Sequence, residues 1–173
     1  MKKLAAIALS AFGAAAFVVS LSAQAKPLTV ALSDAAGKSV GTATISGTKT
    51  GVSIALNLKG LPAGAHAIHI HQAAKCEAPA FTTAGGHFNP DAKKHGLENP
   101  DGHHAGDMKN FTVAANGTAK AKVTDDSVTL KDGPNSIFTG GGTALVIHAA
   151  ADDMKSDPAG NAGARIACGI IVK

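Results

Sequence analysis

Residues 52–58 read Val52-Ser53-Ile54-Ala55-Leu56-Asn57-Leu58, a strict alternation of large aliphatic residues with small or polar ones. A period of two puts Val52, Ile54, Leu56 and Leu58 on one face of a β-strand and the other three on the opposite face. Turn-forming sequence brackets the stretch, with residues 47–51 before it and Gly60-Leu61-Pro62-Ala63-Gly64 after it. The same texture continues outward. Residues 28–32 and 40–45 lie upstream, and 67–71, 110–114, 119–124, 143–148 and 165–172 lie downstream. No segment carries a helical period, and no internal repeat is present. The pattern predicts an all-β domain, a Greek-key β-sandwich or flattened barrel of about eight antiparallel strands.

Two segments interrupt the strands. Residues 72–110 are polar, rich in Gly, Pro, Asn and His, and without sustained period. Residues 149–164 form a second loop. Loops of this length inside a compact domain are usually functional, so the chemistry is expected here, on a scaffold of strands.

Composition narrows the partners. The 173 residues are 3% aromatic, with no Trp or Tyr, which argues against stacking platforms for single-stranded nucleic acid. The net charge of +4 is dispersed, and Arg165 is the only Arg among 16 basic residues, so no nucleic acid partner is expected.

Residues 1–25 have the form of a secretory signal peptide: Lys2 and Lys3, an Ala-rich apolar run, then Ala23-Gln24-Ala25. The alternative is an uncleaved membrane anchor. Cleavage would leave residues 26–173 as the mature domain, periplasmic or secreted, with no stable membrane association. Export permits disulfides, and Cys76 and Cys168 are the only cysteines, so one bridge is the simple expectation and two buried thiols the alternative.

Seven of the eight histidines lie between positions 66 and 104, and His148 ends a strand. His69 and His71, two apart, point to one face of their strand. Such a pair is half of a typical metal site or a plain surface pair. His87, His95, His104 and Asp107 follow at intervals of 8, 9 and 3 residues, among Asn-Pro and Asp-Gly turns that allow convergence. Three imidazoles and a carboxylate suit a closed tetrahedral zinc site; a solvated polar loop is the other possibility.

The order of motifs is more specific than any one of them. Gly64-Ala65-His66-Ala67-Ile68-His69-Ile70-His71, Gly86-His87-Phe88-Asn89-Pro90, Lys94-His95-Gly96 and His104-Ala105-Gly106-Asp107 resemble the signature of the copper/zinc superoxide dismutases. The resemblance continues through Val146-Ile147-His148, Ala151-Asp152-Asp153 and Gly163-Ala164-Arg165-Ile166-Ala167-Cys168-Gly169. It covers almost the whole mature chain and is similar to the bacterial secreted branch.

The resemblance implies one copper and one zinc ion per chain. It makes His69, His71, His87 and His148 copper ligands, and His87, His95, His104 and Asp107 zinc ligands, with His87 bridging. Asp152 matches a carboxylate linking a copper-ligand imidazole to a zinc-ligand imidazole, and His66 a buried histidine that bonds backbone rather than metal. Cys76 and Cys168 match the family disulfide, and Arg165 the residue that attracts and orients the superoxide anion. His103 matches nothing. The implied activity is dismutation of superoxide to O₂ and H₂O₂ as copper cycles between Cu²⁺ and Cu⁺. The rival is a non-catalytic periplasmic copper-binding or storage protein on the same fold. Sequence leaves monomer or homodimer open.

Overall fold

The computed structural model describes residues 26–173. The expected signal segment, 1–25, lies outside the described residues. Nine strands run in chain order: β1 Leu28–Asp34, β2 Ser39–Gly47, β3 Val52–Leu58, β4 Gly64–His66, β5 Ile68–His71, β6 Phe111–Val113, β7 Ala119–Asp125, β8 Thr143–His148 and β9 Arg165–Ile171. Two short 3₁₀ turns, Thr82–Ala84 and Thr139–Gly141, are the only helical pieces among the described residues. No helix there is long and apolar enough to cross a membrane.

Seven strands form one antiparallel sheet in the order β5-β8-β9-β1-β2-β3-β7, and β4 pairs with β6 in a small second sheet. The neighbours β3–β7, β5–β8 and β1–β9 are remote in sequence, which curls the all-β domain into the Greek-key form. Strand β3 shows why the alternating stretch decides the fold. Val52, Ile54, Leu56 and Leu58 are buried, while Ala55 and Asn57 are exposed. Each buried aliphatic side chain contributes roughly 1.5–3 kcal/mol relative to exposure. They join Leu32, Ile45, Ile68, Ile70, Leu145, Ile147 and Ile171 in one aliphatic core.

One strand differs from the expected count. Residues 60–64 carry turn signals, yet Gly64 already opens β4, paired with β6. The chain changes sheets at Ala67, whose N–H donates to the Ala150 carbonyl and whose carbonyl accepts from His148. That switch divides one continuous extended segment into β4 and β5.

The outer face of β8 and β9 carries a second, smaller apolar cluster of Phe81, Ala84, Ala144, Val146 and Cys168, with Cys76 packed against it. The disulfide Cys76–Cys168 holds the start of the 72–110 loop over this face, with Cα atoms 5.7 Å apart. Strand β5 is consequently buried on both sides, Ile68 and Ile70 in the core and His69 and His71 beneath the loop.

Candidate metal centre

The histidine-bearing loop is stitched to β5 by backbone hydrogen bonds. Phe88 N–H donates to the Ile70 carbonyl (2.8 Å), Ile70 N–H to Gly106 (3.0 Å), and Gly106 N–H to Phe88 (2.8 Å). Residue 106 must be glycine, because a Cβ there would collide with the Ile70 carbonyl. Isolated bridges pair His71 with His87 and His69 with Asp107. The register between β8 and β9 shifts between Ile147 and His148, and His148 lies opposite Arg165. Such an irregularity re-aims a strand's last side chain.

His69, His71, His87 and His148 are buried, and each offers one ring nitrogen within 4.8 Å of the others. Their remote nitrogens are committed elsewhere. His69 Nε2 donates to Asp152 Oδ2 (2.8 Å), His71 Nδ1 to the Gly85 carbonyl (2.9 Å) and His148 Nδ1 to the Gly163 carbonyl (3.3 Å). Those bonds fix tautomers and leave lone pairs on the inward nitrogens. Among the described residues, buried His69 Nδ1 and His87 Nε2 have no hydrogen-bond partner at all. His71 Nε2 and His148 Nε2 lie 3.4 Å apart in the same space. Four converging imidazole lone pairs, two of them otherwise orphaned, fit a copper ion.

His87, His95, His104 and Asp107 form a second buried group. Asp107 Oδ1 is 2.8 Å from His87 Nδ1, 3.1 Å from His95 Nδ1 and 3.4 Å from His104 Nδ1, and His104 Nδ1 is 3.3 Å from His87 Nδ1. Zinc bonds of about 2.0–2.1 Å in a tetrahedron give ligand–ligand edges of about 3.3 Å, so the spacing fits that ion. His87 belongs to both groups, through Nδ1 in this one and Nε2 in the other.

A family model described as copper/zinc superoxide dismutase matches residues 39–171. The chain belongs to the copper/zinc superoxide dismutase family. It is 56% identical over 137 residues to a copper–zinc superoxide dismutase of Aquifex aeolicus, covering 78% of this chain and 80% of that one. Identity is 42% over 138 residues to the enzyme of Caulobacter vibrioides, at 78% and 79% coverage. Among solved structures, a superoxide dismutase-like protein from Bacillus subtilis superimposes with a TM-score of 0.80 and 38% identity, covering 83% of this chain and 97% of that one. The Cu/Zn superoxide dismutase from Brucella abortus gives 0.68 and 28% identity, at 84% and 99% coverage. The activity is dismutation of superoxide with copper and zinc as cofactors, and a storage protein on the same fold is not favoured.

The electrostatics of a copper/zinc superoxide dismutase are visible in the side chains around the two groups. Burial pulls His71 down to about 2, and His87 and His148 each to about 4, and it lowers His69 as well. These rings are neutral at neutral pH, as metal ligands must be. Burial disfavours the Asp107 carboxylate, but hydrogen bonds to His104, His87, His95 and the Gly96 N–H outweigh it and hold the group well below the ordinary range. Burial likewise opposes the Asp152 charge, and bonds to His69, His95 and the Met154 N–H override it. His95 lies between the two carboxylates; burial works against its protonation, but Asp107 and Asp152 raise it to about 9. The group of His87, His95, His104 and Asp107 is thus a preorganised seat for positive charge.

Asp152 spans the two halves, accepting from His69 Nε2 through Oδ2 and from His95 Nε2 (3.0 Å) through Oδ1. A Cβ at residue 160 would collide with Asp152 Oδ1, and φ there is +63°, so glycine is required. Arg165 is half-buried, its Nη1 donating to the Phe81 carbonyl (2.6 Å) and its Nη2 to Gly85 (2.7 Å). The Gly85 carbonyl therefore ties the guanidinium to His71. Arg165 also lines an open surface cleft of about 430 Å³ with Pro79, Ala80, Gly163 and Ala164. His66 is in neither metal group; its ring nitrogens face the His148 carbonyl (2.7 Å) and the Pro62 carbonyl (2.9 Å). His103 is also in neither group, and its Nδ1 faces the carbonyl of His104.

Three side chains were not anticipated from the sequence. Asp157 accepts from the His95 N–H (2.8 Å), and Asn99 Nδ2 donates to the His95 carbonyl (2.9 Å). Asn110 engages both backbone groups of Asp152. Asp157 and Asn110 act on backbone far away in sequence, where no local spacing signals them, and the Asn99 bond closes a local turn whose contact with His95 the residue type alone does not reveal.

Proposed function

We propose that His69, His71, His87 and His148 hold copper and that His87, His95, His104 and Asp107 hold zinc, with His87 shared. The observation that carries this assignment is His87 itself, the one residue in both groups, with Nδ1 among the zinc-spaced atoms and Nε2 buried without a partner. When bound, copper supplies one-electron cycling between Cu²⁺ and Cu⁺, and zinc supplies the fixed charge that orients the shared imidazole.

The chain's own groups supply binding and proton handling. The net reaction takes two superoxide ions and two protons to O₂ and H₂O₂. His87 Nε2 holds a proton in one half of the cycle and releases it to product in the other, and solvent supplies the second proton. Rigid backbone stitching of residues 86–88 to β5 keeps that nitrogen aimed inward throughout. Arg165, its two Nη nitrogens fixed by the Phe81 and Gly85 carbonyls, attracts and orients the anion through its charge. Asp152 keeps His69 and His95 in the tautomers that face the metals. His66 holds the His148 carbonyl and so the end of β8.

Residues 1–25 direct export, giving a mature chain from Lys26 that works in the periplasm or outside the cell. It is free of the membrane, as a monomer or homodimer. N-terminal sequencing of protein recovered from the envelope fraction tests the cleavage. Metal analysis of two variants tests the ligands. His148→Ala should lose copper and keep zinc, and His104→Ala should lose zinc and keep most copper. Loss of the opposite metal in either variant would refute the assignment.

A further inference from the structure

We infer that Asn110 is a positioning residue for Asp152 and, through it, for the zinc half of the site. Asn110 Oδ1 accepts from the Asp152 N–H (2.9 Å), and Asn110 Nδ2 donates to the Asp152 carbonyl (2.9 Å). One side-chain amide thus captures both backbone groups of one residue. An amide sets an acceptor and a donor on two separate atoms side by side; an ionised carboxylate has no donor, and a hydroxyl carries both functions on one atom.

That clamp matters because of where each partner sits. Asp152 belongs to the 149–164 loop, which contains no strand. Its carboxylate is fully engaged, Oδ2 by His69 and Oδ1 by His95 and by the Met154 N–H (2.7 Å). Asn110 stands three residues after Asp107, on a segment anchored to β5 through Gly106 and through the bridge between His69 and Asp107. Residues 107–110 therefore carry a zinc-facing carboxylate at one end and the clamp on Asp152 at the other. His95 lies between these two carboxylates, 3.1 Å from Asp107 Oδ1 and 3.0 Å from Asp152 Oδ1. Asn110 sets the gap that His95 fills.

The two imidazoles on Asp152 depend on it unequally. His69 is held by the ladder of β5 against β8. His95 lies in a segment with no strand and takes its place from side-chain bonds. A loosened Asp152 should therefore be felt at zinc before copper. The inference rests on the ligand assignments proposed above.

The test compares the intact disulfide-bonded protein with Asn110→Ala, Asn110→Asp and Lys155→Ala. Zinc and copper affinities are each measured by competition with a chromophoric chelator, and the visible spectrum is recorded with Co²⁺ at the zinc position. Asn110→Ala should weaken zinc roughly tenfold or more, as loss of an outer partner does, shift the cobalt bands, and change copper affinity far less. Asn110→Asp keeps the shape but sets an oxygen against the Asp152 carbonyl, and it should weaken zinc too. Should the alanine variant not fold, the aspartate variant decides. Lys155→Ala, on the same loop as Asp152, removes only an exposed ion pair with Glu98 of the 72–110 loop and should leave zinc affinity at the parent value. Unchanged zinc affinity and cobalt spectrum in the Asn110 variants would overturn the inference, as would equal loss of both metals. A parent protein that takes up no zinc would overturn the ligand assignments along with it.

Discussion

Replacing Asp152 with Asn keeps the outline of the side chain while exchanging one acceptor oxygen for an NH₂ group. In the parent, Oδ2 takes one donor, His69 Nε2 at 2.8 Å, and Oδ1 takes two, His95 Nε2 at 3.0 Å and the Met154 N–H at 2.7 Å. Whichever way the amide turns, one imidazole loses its acceptor and meets a second donor. A hydrogen bond to a charged group contributes roughly 1.5–3 kcal/mol, and about 1.4 kcal/mol corresponds to a tenfold change in affinity. The loss is therefore roughly 10–100-fold for a metal whose ligand is no longer oriented. Zinc should bear most of it, because His69 keeps its place in β5 without Asp152 whereas His95, in a loop, does not. The assay is chelator competition run separately for zinc and copper on Asp152→Asn and the parent, with circular dichroism to confirm the fold. Zinc held at parent affinity, or copper lost first, would refute the reasoning.

Other perturbations address different parts of the molecule. Burial pushes the Asp125 carboxyl up to about 7 from 3.8, and its Oδ2 has no hydrogen-bond partner. The folded state thus holds this proton more tightly than the unfolded chain, and the stability it contributes falls as pH rises from about 4 to about 7, by on the order of 4 kcal/mol. Urea unfolding of Asp125→Asn should match the parent near pH 4 and show a growing advantage up to pH 8; a pH-independent difference would contradict this. Arg165→Ala should lower the dismutation rate constant roughly tenfold or more and weaken inhibition by small anions, with copper content unchanged; an unchanged rate would remove Arg165 from substrate guidance. The double variant Cys76→Ser, Cys168→Ser opens a loop with a sequence separation of 92 and should lose roughly 4–5 kcal/mol in the chain-entropy model. It also frees the segment whose Phe81 and Gly85 carbonyls hold Arg165, so activity should fall even in protein that retains both metals.

The strands were legible because burial follows local period: the alternation at 52–58 reappears as the alternating burial of β3. The sequence places Gly60–Gly64 in a turn and gives Ala65-His66 no strand, because Pro62 and two glycines dominate the local signal, whereas the pairing partner of residues 64–66, β6, lies more than 40 residues away. The loop at 72–110 was legible as a place for chemistry, since it lacks the apolar surface to order itself by packing. What orders it instead, backbone bonding to the edge of β5, leaves no pattern in side-chain types. The residue types that form the two groups could be read from spacing and motif order. Which nitrogen of each ring faces inward could not, because Gly85, Gly163 and Asp152 decide it from remote segments. Asn110 was invisible for the same reason: at the start of the strand candidate 110–114 it reads only as a polar strand end until its partner 42 positions on is seen.

Turnover separates an enzyme from a protein that merely binds copper. Protein isolated with copper and zinc should be mixed with superoxide in large molar excess over copper, and decay followed by ultraviolet absorbance together with the H₂O₂ formed. The account predicts complete loss of superoxide well beyond the copper added, at a rate proportional to protein, with one H₂O₂ for every two superoxide ions consumed. Decay that, beyond one equivalent of the copper present, runs no faster than the spontaneous dismutation seen without protein would contradict it.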